Sequence, residues 1–215
     1  WLWFKSRSSA FSNRLYDTTR GIASNGGKRL FINTSGAEVD QTSGQDISAI
    51  GTDGFTMGAS SGLYNNDTGS GGLQAGWFWR ANGGTTVSNS NGDITSTVQT
   101  DPSGHFSIVK YTGFAGASGT STVGHGLSTA PTMIIHKSRT RSSGWWTAFP
   151  GLLTSQSYFL NIENHNTQTD LSSYGTISAP TSSVFTINGV DGIGGESANY
   201  VAYCFANVEG CSKFG

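Results

Sequence analysis

Four strand-like motifs of this chain occur twice, in the same order and at nearly one spacing. Phe4-Lys5-Ser6-Arg7 returns as His136-Lys137-Ser138-Arg139, and Leu30-Phe31-Ile32-Asn33 as Tyr158-Phe159-Leu160-Asn161. Phe55-Thr56-Met57-Gly58 returns as Phe185-Thr186-Ile187-Asn188-Gly189, and Trp77-Phe78-Trp79 as Tyr203-Cys204-Phe205. The offsets are 132, 128, 130 and 126 positions. Loops gain and lose residues while strands keep theirs, so small drifts of this kind are what a duplicated unit accumulates. A period near 130 residues is far above solenoid repeats and points to a duplicated domain.

The motifs read as strands. Residues 1–5, 28–33, 54–57, 75–80, 106–111, 132–136, 157–162, 184–187 and 200–206 are short and rich in aromatic and β-branched residues. Each is bounded by Gly, Ser, Asn or Asp, and no long stretch carries a 3.6-residue apolar period. The expected fold is all-β, with two tandem related β-sandwich or jelly-roll units. The first unit spans 1–90, a linker 91–103, and the second unit 104–215. The second has opening strands before Thr132 that the first lacks, so the first should expose sheet edges that another polypeptide segment covers. Trp77 and Trp79 alternate with Phe78, and Tyr203 and Phe205 alternate with Cys204. These pairs are read as inward, buried positions, with Trp1 and Trp3 also in the core.

Charged residues make up only 12% of the chain and the net charge is −1. That leaves no field for nucleic acid or an anionic membrane surface. Apolar runs such as Met133-Ile134-Ile135 are too short to span a bilayer, so no membrane insertion is expected. Two cysteines, Cys204 and Cys211, do not make a disulfide scaffold, and a bridge between them would need a sharp turn over 208–210.

No catalytic residues are assigned. A retaining glycosidase needs two carboxyl groups about 5 Å apart, and Glu38, Glu163, Glu196 and Glu209 are widely separated in sequence. There is no Gly-x-Ser-x-Gly elbow, and His105, His125, His136 and His165 show no metal-ligand spacing. His125, in a Gly-His-Gly-Leu turn, reads as a backbone-bonding turn residue. Gly192-Ile193-Gly194-Gly195 reads as a hairpin loop. Asp17 and Arg20 have no counterpart in the second copy and read as an intradomain ion pair, or else as a contact to a neighbouring subunit. Candidate ligand-binding residues are Trp145 and Trp146, whose rings should point to opposite faces, and the loops holding Asn65, Asn66, Asp67, Asp191 and Glu196.

The sequence resembles the repeat domain of bacteriophage structural proteins of the tail-fibre type. The motifs are Phe106-Ser107-Ile108-Val109-x-Tyr111-Thr112-Gly113, then Gly124-His125-Gly126-Leu127-x-x-Ala130-Pro131-x-Met133-Ile134-Ile135-x-Lys137, and the long run from Tyr200 to Gly215. In the first half, Trp1-Leu2-Trp3-Phe4-Lys5-x-Arg7 and Leu15-Tyr16-Asp17-x-x-Arg20-Gly21 match. The resemblance implies a concanavalin-like or laminin-G-like sandwich in a virion appendage. It implies no characterised activity. The low-charge, hydroxyl- and amide-rich surface suits weak contact with host surface glycans, and fibre symmetry points to copies of the same chain, as a trimer, and to other virion proteins as partners, so the expected role is structural and adhesive rather than enzymatic. Laminin-G-like domains hold calcium with loop oxygens. Calcium takes six to eight oxygens, and one carboxylate in each of the Asn65–Asp67 and Asp191 loops is thin for that, so no cofactor is expected. Alternatives are a purely structural decoration or spacer module and a polysaccharide depolymerase.

Overall fold

The computed structural model of the chain describes residues 1–23, 26–40, 47–51, 53–57, 73–82, 84–153, 155–164, 167–178, 180–189 and 192–214. It is all-β. The first half contributes β1 (Leu2–Ser6), β2 (Arg14–Tyr16), β3 (Ile22–Ala23), β4 (Gly26–Phe31), β5 (Val39–Asp40), β6 (Ile47–Ile50), β7 (Phe55–Met57) and β8 (Gln74–Phe78). The second half contributes β9 (Val87–Asn89), β10 (Ser96–Thr100), β11 (Phe106–Thr112), β12 (Gly119–Gly124), β13 (Met133–Ser138) and β14 (Trp146–Ala148). It continues with β15 (Tyr158–Asn161), β16 (Thr169–Asp170), β17 (Gly175–Ser178), β18 (Val184–Gly189) and β19 (Asn199–Phe205).

The strands form four antiparallel sheets. A six-stranded sheet runs β3-β4-β2-β1-β8 with β5 also on β4, and β6 and β7 pair beside it. An eight-stranded sheet runs β16-β15-β14-β13-β19-β11-β10-β9, and a three-stranded sheet runs β12-β18-β17.

The same pairings recur in both halves. Lys5 faces Ala75 as Lys137 faces Val201, and Phe4 faces Arg14 as His136 faces Trp146. Lys28 faces Asp40 as Tyr158 faces Asp170, and Ile47 faces Met57 as Ile177 faces Ile187. Trp77 therefore occupies the place of Tyr203, each opposite the same position of its neighbour, Trp3 and Ile135. Around β4 and β15 the offset is 130, so Lys28 rather than Leu30 matches Tyr158. A two-residue slip of the sequence match keeps every side chain on its face, which is why the motif was still visible.

The sheets stack in four layers. A core of Leu2, Phe4, Tyr16 and Ile47 lies between the β6–β7 pair and the six-stranded sheet. Trp1, Leu15, Leu30 and Ile32 of the first half pack on Phe106, Ile108, Ile135, Trp145, Val201, Tyr203 and Phe205 of the second, joining the two large sheets. Val109, Tyr111, Ile134, Phe159, Tyr200, Ala202 and Cys204 pack on Val123, Ile177, Phe185 and Ile187 beneath the three-stranded sheet. The eight-stranded sheet is thus covered on both faces. That accounts for the unbroken apolar run 200–206, because a strand with two buried faces has no polar side. Gly113 and Gly194 meet where β11 ends: Phe114 N donates to Gly194 O at 2.9 Å, and a Cβ on Gly113 would lie 2.0 Å from that oxygen. The Gly192–Gly195 turn is buried and leads from β18 to β19, strands of two different sheets, so it is not a hairpin loop.

Two sequence expectations fail here. Residues 91–103 are not a linker, because β10 lies within them and joins β9 to β11 in the eight-stranded sheet. Ser96, Val98 and Gln99 are buried. Trp77 and Trp79 are not the buried, inward residues that their alternation suggests. They share the face of Trp1 and Trp3, which points toward the eight-stranded sheet, with centroids 4.9 Å apart for Trp3–Trp77 and 4.8 Å for Trp1–Trp79. Tyr203 and Phe205 have the same orientation and are buried, but Trp77 is 42% exposed and Trp79 38%. Strand order explains the difference. β19 lies between β13 and β11, whereas β8 is the last strand of its sheet.

Candidate functional site

The loop after β2 carries Asp17 and Arg20 into the seam between the two large sheets. Arg20 N donates to Asp17 Oδ1 at 2.7 Å, and Arg20 Nε donates to Asp17 Oδ2 in a fully buried ion pair. Tyr203, from the other half, donates its hydroxyl to the same Oδ2 at 2.7 Å. Arg20 continues through Nη1 to Glu38 Oε2 at 3.0 Å and to Lys28 O at 3.1 Å, and through Nη2 to Leu15 O at 3.1 Å. Glu38 accepts two bonds from Arg139, Nε at 3.0 Å and Nη2 at 2.7 Å. This double bond fits the planar guanidinium fork.

The electrostatics follow from burial set against charge. Burial pushes the Asp17 carboxyl up, but the Arg20 charge and the bonds from Tyr203 and Arg20 outweigh it and hold the group below its ordinary value. At Glu38 burial is likewise outweighed by the Arg139 bonds and the Arg20 charge. Tyr203 is raised well above the usual phenol range, chiefly by burial, and stays a donor. Lys137, also in the seam, donates Nζ to Ser35 O at 3.1 Å and to Ser143 O at 2.8 Å, and lies 6.0 Å from the Trp145 ring centroid. Burial lowers its pKa to about 8. Of the two sequence readings of Asp17 and Arg20, the ion pair is present. Its third member comes from the other half of the chain, 186 positions away.

The three candidate ligand residues that the structure describes, Trp145, Trp146 and Glu196, do not converge. Trp145 is wholly buried in the seam, donating Nε1 to Phe31 O at 2.9 Å, so it offers no exposed platform. Trp146 points to the opposite face and is half-buried against Phe159. Glu196 is exposed and ion-paired with Arg141. Asn65, Asn66, Asp67 and Asp191 lie outside the described residues, as does His165. Among the described residues no three His, Cys, Asp or Glu side chains form a group that could hold a metal.

His125 accepts from Leu127 N at Nδ1, 3.1 Å, and its Nε2 lies 3.1 Å from Thr181 O, as a neutral turn residue does. Burial keeps its pKa low against that carbonyl bond. His136 is buried with Nε2 2.7 Å from the Tyr111 hydroxyl, and burial and then the Lys137 charge push it down to about 3. Both cysteines are free, Cys204 buried and Cys211 exposed.

An open groove flanks the first half. It has a volume of about 860 Å³ and lies between the β6–β7 turn and the end of β8. Leu2, Ile22, Phe55, Phe78 and Trp79 form its apolar wall, and Asp53 and Arg80 are the charged residues lining it. Sequence reasoning missed it, because it took Trp79 and its neighbours as interior. The signal was present in the missing opening strands of the first half.

The fold defines an all-β protein of stacked antiparallel sheets. The chain belongs to the DUF7483 family, described as a domain of unknown function, whose model matches residues 1–215. No curated protein and no solved structure matches the chain. No helix among the described residues is long and apolar enough to cross a membrane.

Proposed function

We propose that this chain is a structural and adhesive protein of a bacteriophage virion, in a tail fibre or related appendage, and not an enzyme. The observation that carries this reading is where the buried charges go. Asp17, Arg20 and Glu38 of the first half form one connected network, which Tyr203 joins at Asp17 and Arg139 at Glu38 from the second half. Strongly shifted groups in an enzyme converge on a cleft. Here they lock one half of the chain to the other. The open groove instead has an aromatic wall.

The motifs shared with phage structural repeats support the virion setting. A surface rich in hydroxyls and amides suits weak polar contact with host glycans, and copy number in a symmetric fibre, three-fold as first guess, would multiply it. Trp146 is the residue of choice for that contact, since it is the half-buried member of its pair. Fitting the chain into a reconstruction of the particle tests the structural role, and a position outside every appendage would refute it. Glycan-array binding that Trp146→Ala weakens, with the fold intact, supports the adhesive role. An array without hits leaves a purely structural module, and release of sugar from host polysaccharide would overturn the non-enzymatic reading.

A further inference from the structure

Among the described residues, two strands of the first half have no outer neighbour where their counterparts in the second half have one: no strand pairs with the outer side of β8 or of β7. Their counterparts β19 and β18 are occupied by β11 and β12, two strands consecutive in sequence. The residues affected are the same ones. Phe185 is wholly buried, opposite Val123 of β12 and 6.2 Å from the Tyr111 ring of β11. Its counterpart Phe55 is only half-buried and rests on Phe78, 5.5 Å away. Phe78 is 51% exposed, while Cys204 in the equivalent place is fully buried. The groove opens beside these residues.

We infer that the first half is an acceptor for a strand pair of the β11–β12 type: one strand adds antiparallel to β8, the next to β7, and together they close the groove. The occupant is a polypeptide segment that repeats the apolar pattern of Phe106–Gly124. Its chemistry follows from the register of the second half. Phe106 and Ile108 stand opposite Phe205 and Tyr203, so the donor places apolar residues opposite Trp79 and Trp77. Ser107 stands opposite Cys204, so a small residue meets Phe78, which is larger than Cys204 and already fills part of the groove. Main-chain bonds supply affinity in such strand addition, and alternate side chains supply selectivity. The exposed row Leu73, Trp77, Phe78 and Trp79 is the kind of apolar edge that proteins otherwise cover or charge. This inference rests on the recurring pairings, not on the virion reading.

The test uses the intact chain and a synthetic peptide with the sequence of residues 104–124. Amide exchange is followed at residues 55–57 and 74–78, and mass is measured by light scattering. Peptide at about a hundred times its dissociation constant should slow exchange at the β8 edge about a hundredfold, and slow β7 with it, on a chain that stays monomeric. The same peptide with its β8-facing amides N-methylated should give no protection, because it cannot complete the ladder. Protection by the methylated peptide, no protection by either, or protection confined to other strands would overturn the proposal. So would a chain that dimerises without peptide and already protects β8, since a second copy would then be the occupant.

Discussion

β19 and β8 hold the same place in the two halves of this molecule, and they differ in almost every physical respect except register. β19 lies in the middle of an eight-stranded sheet with another sheet on each face, and six of its seven residues are buried. β8 closes a sheet, and three of its five residues are exposed, including Trp77 and Phe78. The register of each against its inner neighbour is identical, Lys137 to Val201 and Lys5 to Ala75. Register is thus set by the pair of strands itself, whereas burial is set by what lies beyond them. A side-chain pattern records which face a residue is on, but not whether a further strand covers its flank.

The largest effect expected is at the seam. Asp17→Ala would leave Arg20 buried without its closest carboxylate, and breaking a buried pair from one side costs about 3–5 kcal/mol. Denaturant titration should show that loss as a fall in midpoint. A fall no larger than for an exposed pair would mean that the two halves are not locked there.

Trp145 and Trp146 sharpen the same contrast between a residue enclosed by both halves and one at a flank. Trp145→Ala should cost about 3–5 kcal/mol, and Trp146→Ala about half that or less, because only the first is fully buried and hydrogen-bonded. Equal losses would contradict the placement of Trp145 between the sheets.

The third prediction replaces a residue with its counterpart. His136 corresponds to Phe4. Its pKa is depressed in the folded state from 6.5 to about 3, so below pH 6.5 the unfolded chain binds a proton that the folded chain excludes. Stability therefore falls as pH drops from 6.5 toward 3, by about 2 kcal/mol between pH 7 and pH 5 from this group. His125, also lowered, adds in the same direction. His136→Phe should flatten this slope while leaving Tyr111 without its partner, at a cost of about 1–3 kcal/mol at pH 7. Loss of stability below pH 4 should persist in the variant, since Asp17 and Glu38, both held low, lose their contribution as they protonate. Midpoints measured from pH 4 to 8 decide the case, and an unchanged slope would refute it.

The smallest effect belongs to Lys28 and Asp40, an ion pair 2.6 Å long at the surface of β4 and β5. Asp40→Asn should change stability by less than about 1 kcal/mol, and less still at high salt.

Much of the fold could be read in advance where strands were long and apolar. The segments around β1, β11, β13, β18 and β19 stand close to where their patterns placed them. Arg14–Tyr16, Gly175–Ser178 and Ser96–Thr100 did not announce themselves, because three to five polar-rich residues carry too little alternation to stand out from a loop. Their strand character comes from pairing with neighbours. The seam was legible only in part. Asp17 and Arg20 could be suspected of pairing from their spacing, but Tyr203 and Glu38 join them through the stacking of sheets, which no local pattern encodes. Trp145 and Trp146 were correctly expected on opposite faces. That both faces of their sheet are covered could not be seen from the pair.

β8 and β19 are equivalent strands, and among the described residues β8 lacks the second neighbour that β11 gives β19. Residue-resolved hydrogen exchange on the isolated chain tests it most directly. The account predicts slow exchange through all of 199–205, and in 74–78 an alternation in which amides bonded to β1 are protected and those on the outer edge exchange freely. Uniform protection of 74–78, matching that of β19, would contradict it.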